Sequence, residues 1–193
     1  DPTLKLVLYN DKDEKLVLWD TVTQKEIISL PSPTDLTKGT WSPDGKEFAV
    51  PSHSSIDSPE ELFIIDMNGK VKITSFNQQF SFTNVSARPS WSPDGHHIAF
   101  WLQVSNDVNA DPKTLRQWLT VIDTATLDTQ IYCLSPNKPP TGGGSIVWSP
   151  SGTQLIVNTD TSSEEVKPIL VNLKLLTQSK INTHGLWVTD WMA

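Results

Sequence analysis

Trp41-Ser-Pro-Asp-Gly45 returns as Trp91-Ser-Pro-Asp-Gly95 and, with one substitution, as Trp148-Ser-Pro-Ser-Gly152. A short apolar run follows each copy, around Phe48-Ala-Val50, Ile98-Ala-Phe100 and Leu155-Ile-Val157. Further downstream a second element recurs as Leu62-Phe-Ile-Ile-Asp66, Leu119-Thr-Val-Ile-Asp123 and Ile169-Leu-Val-Asn172, and once more, with no Trp-Ser-Pro before it, as Leu16-Val-Leu-Trp-Asp20. Each of these leads into a tight turn and one more β-prone run, ending near Ile27, Ile73, Ile131 and Ile181. Four short strands, A to D, therefore recur per unit, and a repeat of this kind decides the architecture before any single element does.

The chemistry of the repeat is that of strands joined by hairpins. In Ser-Pro-Asp-Gly the proline sits where its fixed φ suits a turn, the aspartate can bond nearby backbone, and the glycine can take a positive φ. That turn ends strand A and starts strand B, which makes Asp44 and Asp94 turn formers. The residue closing strand C (Asp20, Asp66, Asp123 or Asn172) is placed to accept backbone N–H groups in the C–D turn. No segment keeps a 3.6-residue apolar period for twelve residues, so no helix is expected.

Units of 40 to 60 residues, each a four-stranded antiparallel sheet, specify an all-β protein of the β-propeller class, in which blades pack face to face around an axis. The motif tryptophans lie about 50 and 57 residues apart, and Leu186-Trp-Val-Thr-Asp-Trp191 reads as a further strand A. The expected blades are 1–30 completed by 185–193, then 38–74, 88–134 and 145–183. In this scheme the C-terminal strand closes a four-bladed ring by completing the N-terminal blade, with strand B of that blade near Leu4 to Leu8. Trp41, Trp91, Trp148 and Trp191 hold one strand position in every blade, which assigns them to packing between blades.

Composition narrows the function. The 193 residues carry a net charge of −7, with 37% hydrophobic and 19% charged residues, the profile of an ordinary globular domain. Acidity argues against nucleic acid as a partner, and no run of eighteen apolar residues offers a membrane span. The single Cys133 excludes an internal disulfide framework and a multi-cysteine metal site. A nucleophile elbow and a phosphate-cradling loop are both missing; Gly142-Gly-Gly144 has neither the lysine nor the helix that a P-loop needs.

The Trp-Ser-Pro-Asp-Gly motif, its apolar run and the apolar run ending in Asp resemble the repeats of the TolB-like, WD-repeat-like β-propellers, over nearly the whole chain. The resemblance implies a bacterial, extracytoplasmic protein, and the missing signatures lead to the expectation of no cofactor. Propellers of this kind serve as protein-binding scaffolds, as gating domains of hydrolases and as sensor modules. Family members usually carry six or more blades, against the four seen here, and Ser151 and Asn172 replace motif aspartates in the last blade.

Two function classes follow. One is a non-enzymatic binding or scaffold module; the other is the gating or sensor portion of a larger bacterial hydrolase or signalling protein whose chemistry lies elsewhere. Loop length favours one face for binding. The A–B and C–D turns are short, whereas the B–C and D–A connections are long, and long loops on a rigid scaffold are where binding concentrates. On that long-loop face the expected binding residues are Glu60, Asp107, Asp111 and Glu164, an acidic set suited to basic protein partners or cations, with Phe80 and Trp101 as aromatic anchors. Asp107-Val-Asn-Ala-Asp111 alternates oxygen ligands as a calcium loop does, yet Pro112 stands where an EF-hand needs glycine and Trp118 where it needs glutamate. A small ligand at the axis would need converging polar groups, and strand A offers Lys38, Arg88 and Asp190.

Overall fold

The computed structural model describes residues 5–30, 36–54, 58–86, 88–109, 111, 115, 117–132, 144–158, 168–181, 189 and 191. Their strands group into antiparallel sheets that follow one another along the chain. The first sheet contains β1 (Leu6–Asn10), β2 (Leu16–Asp20) and β3 (Lys25–Leu30). In the second, β4 (Thr40–Trp41), β5 (Glu47–His53), β6 (Glu60–Asp66) and β7 (Val71–Ile73) lie in chain order. The third runs from β8 (Phe82–Val85) and β9 (Ser90–Trp91), both on β10 (His97–Ser105), to β11 (Gln117–Asp123) and β12 (Thr129–Tyr132). The fourth is β13 (Ile146–Trp148), β14 (Gln154–Val157), β15 (Ile169–Asn172) and β16 (Thr177–Lys180). Short 3-10 turns at Leu36–Lys38 and Phe76–Gln78 complete the regular structure among the described residues.

The turn chemistry is as the sequence requires. In the second sheet Gly45, at φ 71°, donates its N–H to the Ser42 carbonyl at 2.9 Å, while the Ser42 hydroxyl donates to Asp44 Oδ1 at 2.8 Å. Gly95 (φ 74°) and Gly152 (φ 68°) repeat the turn. Where the fourth sheet has Ser151 for aspartate, the serine hydroxyl meets Ser149 Oγ at 3.2 Å, a weaker form of the same brace. At the C–D turns Asp20, Asp66 and Asp123 each accept two backbone N–H groups through Oδ1 at 2.7 to 3.0 Å, and Asn172 Oδ1 accepts one at 3.0 Å.

One register holds throughout: Leu6 pairs with Asp20, Glu47 with Asp66, His97 with Asp123 and Gln154 with Asn172. Strand B of the first sheet therefore begins two residues later than expected. The hydrogen bond from the Thr21 N–H to the Lys5 carbonyl is the counterpart of Met67 N–H to Lys46, so Lys5 stands where Lys46 does and Tyr9 matches Val50.

Alternation along each strand sends side chains to opposite neighbours. Phe48 and Val50 pack with Leu6, Leu16 and Leu18 of the first sheet, whereas Ala49, Leu62 and Ile64 pack with Trp91, Ile98 and Phe100 of the third. Ala99, Trp101, Leu119 and Val121 in turn meet Leu155, Val157, Ile169 and Val171 of the fourth. Three core clusters thus join neighbouring sheets face to face among the described residues, and the second and third sheets are buried on both faces.

The motif tryptophans link these sheets. Trp91 donates its indole N–H to the Thr40 carbonyl at 3.2 Å, Trp148 to Ser90 at 3.1 Å and Trp191 to Val147 at 3.2 Å. Every acceptor is the residue before the corresponding tryptophan of the preceding unit, or, for Trp191, the residue before Trp148. The described residues trace four consecutive sheets but not a closed ring. Of the segment 185–193 expected to close it, 189 and 191 alone are described.

Candidate functional site

Among the described residues, several of those expected at the long-loop end lie elsewhere. Glu60 is not a loop residue: it opens β6 and is 8% exposed. Its Oε2 accepts the Val85 N–H, its Oε1 lies 3.9 Å from Lys38 Nζ, and that ammonium donates to the Val85 carbonyl at 3.1 Å. Glu60 and Lys38 so hold both backbone groups of one residue in β8, across the junction of the second and third sheets. Glu61, 1% exposed, accepts the Asn77 N–H at 2.7 Å, the Phe76 N–H at 3.0 Å and the Thr74 hydroxyl, fixing the turn at Phe76–Gln78. Burial pushes its carboxyl up, against the pull of those three donors.

Trp101 is likewise interior, 1% exposed, and donates its indole N–H to the Gly144 carbonyl at 2.7 Å. It is buried because β10 runs on to Ser105, past the apolar run that the sequence marks. Phe80 is half-buried, its N–H held by the Phe76 carbonyl at 2.9 Å. Part of the connection read as a long D–A loop is strand β8, which pairs Val85 with Leu102 and Phe82 with Ser105.

Asp107 and Asp111 are exposed, and Asp107 Oδ1 accepts the Asn109 N–H at 2.9 Å, closing its own turn. No group of three or more His, Cys, Asp or Glu among the described residues is arranged to hold a metal ion. Glu164 and Asp190 lie outside the described residues. Of the axial cations, Lys38 is engaged as above and Arg88 donates to the Thr37 carbonyl at 2.8 Å from Nη2 and 3.2 Å from Nε.

A cavity of about 1100 Å³ opens instead at the short-turn end, walled by the first three sheets. The C–D turn of the first sheet contributes Asp20 and Val22, the second sheet contributes both its turns, with Asp44 and Asp66, and the third contributes Asp94 and His96. Lys5, Lys46 and Glu47 also line it. Lys46 Nζ lies 2.9 Å from Asp44 Oδ2, and Glu47 pairs at 2.8 Å with Lys72, which also donates to the Thr124 carbonyl of the third sheet at 2.7 Å.

The local turns set the charge state of this wall. Lys46 and the Ser42 hydroxyl bring Asp44 down to about 2. The Thr23 and Val22 donors hold Asp20 below the usual carboxylate range. For Asp94, burial pushes the carboxyl up, but the Ser92 hydroxyl and the His96 N–H outweigh it and leave the group lowered. These three carboxylates stay anionic at neutral pH and through mild acid. These aspartates are the turn formers that the repeat specifies. That the repeat also sets them on one face was the available signal.

No family model matches the sequence, and no curated protein matches it. Solved structures do resemble it. Dipeptidyl peptidase 4 of Porphyromonas gingivalis shares 15% identity at a TM-score of 0.60, over 92% of this chain and 30% of that one. A protein assigned as TolB from Agrobacterium tumefaciens shares 16% at 0.52, over 91% and 59%. The β-propeller domain of the Trilobed protease from Pyrococcus furiosus, described as having an open velcro topology, shares 12% at 0.52, over 91% and 52%. The chain thus spans less than two thirds of each. At these identities the likeness establishes the fold: an all-β chain with the β-propeller architecture, its described residues forming four antiparallel sheets.

Proposed function

We propose that this chain is a non-enzymatic propeller module that binds a protein partner through the cavity at its short-turn end. The observation that carries the reading is a concavity of about 1100 Å³ built by three successive sheets, a volume at or above the upper end for small-ligand pockets and suited to a polypeptide segment. Its lining offers carboxylates, ammonium groups and a histidine, and its one serine–aspartate contact, Ser42 on Asp44, is the turn brace that Ser92 and Asp94 repeat in the third sheet. In this reading the four sheets are consecutive blades, and the Trp191 segment is strand A of the blade that β1 to β3 continue. Hydrogen exchange of the chain with a captured partner tests the binding face. Protection is expected at the turns carrying Asp20, Asp44, Asp66 and Asp94, and protection confined to the β10–β11 loop would refute it.

A second reading keeps the partner on the long-loop face, favoured by the exposure of Asp107 and Asp111 beside Val108, itself 66% exposed. The protection pattern separates the two. The coverage of 30% of the dipeptidyl peptidase chain also supports a module within a larger protein. Hydrolase activity from the 193 residues alone would overturn the non-enzymatic assignment.

A further inference from the structure

We propose that the short-turn cavity is a docking groove for an extended peptide segment of a partner protein that carries lysine or arginine at more than one position. The inference rests on the protein-binding reading above and adds the chemistry of what is bound.

Charge selects the partner. Five carboxylates line the groove, those of Asp20, Asp44, Glu47, Asp66 and Asp94, against the ammonium groups of Lys5 and Lys46. Asp44 answers Lys46 and Lys72 answers Glu47, so the balance facing a ligand is set by Asp20, Asp66 and Asp94 against Lys5. A phosphate backbone is repelled by such a wall and a cationic segment is drawn to it.

Geometry selects an extended ligand with repeated cations. Asp20 and Asp66 are equivalent positions in adjacent sheets, and so are Asp44 and Asp94, so carboxylates recur along the groove at the interval of the fold. Turn N–H groups already hold Asp20 and Asp66 through Oδ1; little side-chain freedom is left to lose on binding. Leu6, Ile27 and Met67 line the groove between them, and Val22, 71% exposed, stands on its wall. Lysine and arginine stems lie along apolar surface of this sort while their charged ends reach carboxylates.

The fourth sheet supplies a clean test. Asn172 supports the same C–D turn with its amide oxygen, so Asp→Asn removes charge while keeping the turn. The probe is a short fluorescein-labelled peptide alternating lysine and threonine, titrated into the full chain at low ionic strength and followed by anisotropy. Binding is expected, and the double variant Asp20→Asn/Asp66→Asn should weaken it by about tenfold or more, with the gap narrowing as salt screens the charges. Asp123→Asn, the same turn position outside the groove, should leave affinity unchanged. Absence of binding, or equal weakening by Asp123→Asn, overturns the proposal. If a glutamate–threonine peptide binds instead and protects the same amides, the basic partner is wrong and the groove remains the binding face. A lysine–threonine footprint at the β10–β11 loop overturns both readings.

Discussion

The two ends of the second sheet use carboxylates in opposite ways. At one end Glu60 and Glu61 are buried and reach across to Val85 and Phe76, 25 and 15 residues away in the chain. At the other end Asp44 and Asp66 fold back onto N–H groups within their own turns, two to four residues away. Side-chain length accounts for the difference. Aspartate is short enough to bond its own turn, and the extra methylene of glutamate carries its carboxylate to a neighbouring element. The same acidic composition therefore tightens the junction between sheets at one end and leaves a charged wall facing solvent at the other.

Removing a buried glutamate is the severest way to break this contrast. Glu61→Ala leaves the Thr74 hydroxyl and the Phe76 and Asn77 N–H groups without their acceptor, at a cost on the order of 4 kcal/mol. Urea unfolding measures it, and a loss below about 1 kcal/mol would make Glu61 no different from a surface acid.

Acidity sharpens the contrast further. A carboxyl raised on folding holds its proton more firmly folded than unfolded, so stability falls as pH rises from the ordinary 4.5 of a glutamate through the raised value of Glu61. Aspartates held low act the other way. Their stabilisation is present above the ordinary 3.8 and is lost as pH falls through the folded value, about 2 for Asp44. Unfolding midpoints from pH 4 to pH 7 should show a decline in the wild type that Glu61→Gln flattens; parallel profiles would place that decline elsewhere.

Asp94 is the intermediate case, an aspartate pressed against the next sheet. A Cβ on Gly152 would stand 2.6 Å from Asp94 Oδ2, whereas one on Gly95, at a similar positive φ, meets nothing within 4 Å. Both alanine variants carry the left-handed strain of about 1 kcal/mol, and Gly152→Ala should lose more than Gly95→Ala in thermal melts. Equal losses would mean that the carboxylate moves aside freely. The smallest effect belongs to Asp66→Asn, which keeps the turn acceptor and should shift stability by under about 0.5 kcal/mol. A larger loss in the same melts would show that the charge, and not the acceptor oxygen, holds the turn.

The sheets were legible because their signals are local. Ser-Pro-Asp-Gly writes a turn, the closing Asp20, Asp66, Asp123 and Asn172 write another, and runs such as Leu62-Phe-Ile-Ile write strands buried on both faces. What escaped depends on distant partners. Glu60-Glu61 looks like solvated loop until Val85 and the Phe76 turn are seen against it, and Phe82-Thr-Asn-Val85 shows too little apolar pattern to announce a strand before Leu102 pairs with it. The groove escaped because it belongs to three sheets at once, and loop length, used to choose a face, carries no information about how short turns from neighbouring sheets converge.

The indole bonds of the three motif tryptophans point one way along the chain, opposite to that of Trp101, which reaches forward to Gly144. Trp91, Trp148 and Trp191 reach back 51, 58 and 44 residues to carbonyls that precede them. On a ribosome each of these three tryptophans emerges after its acceptor has been made, so its bond waits for nothing still to be synthesised. Loop closures stay near one repeat in length, and the cost of bringing distant segments together is met in modest steps. Along this ladder the order of donors and acceptors is thus the order of translation.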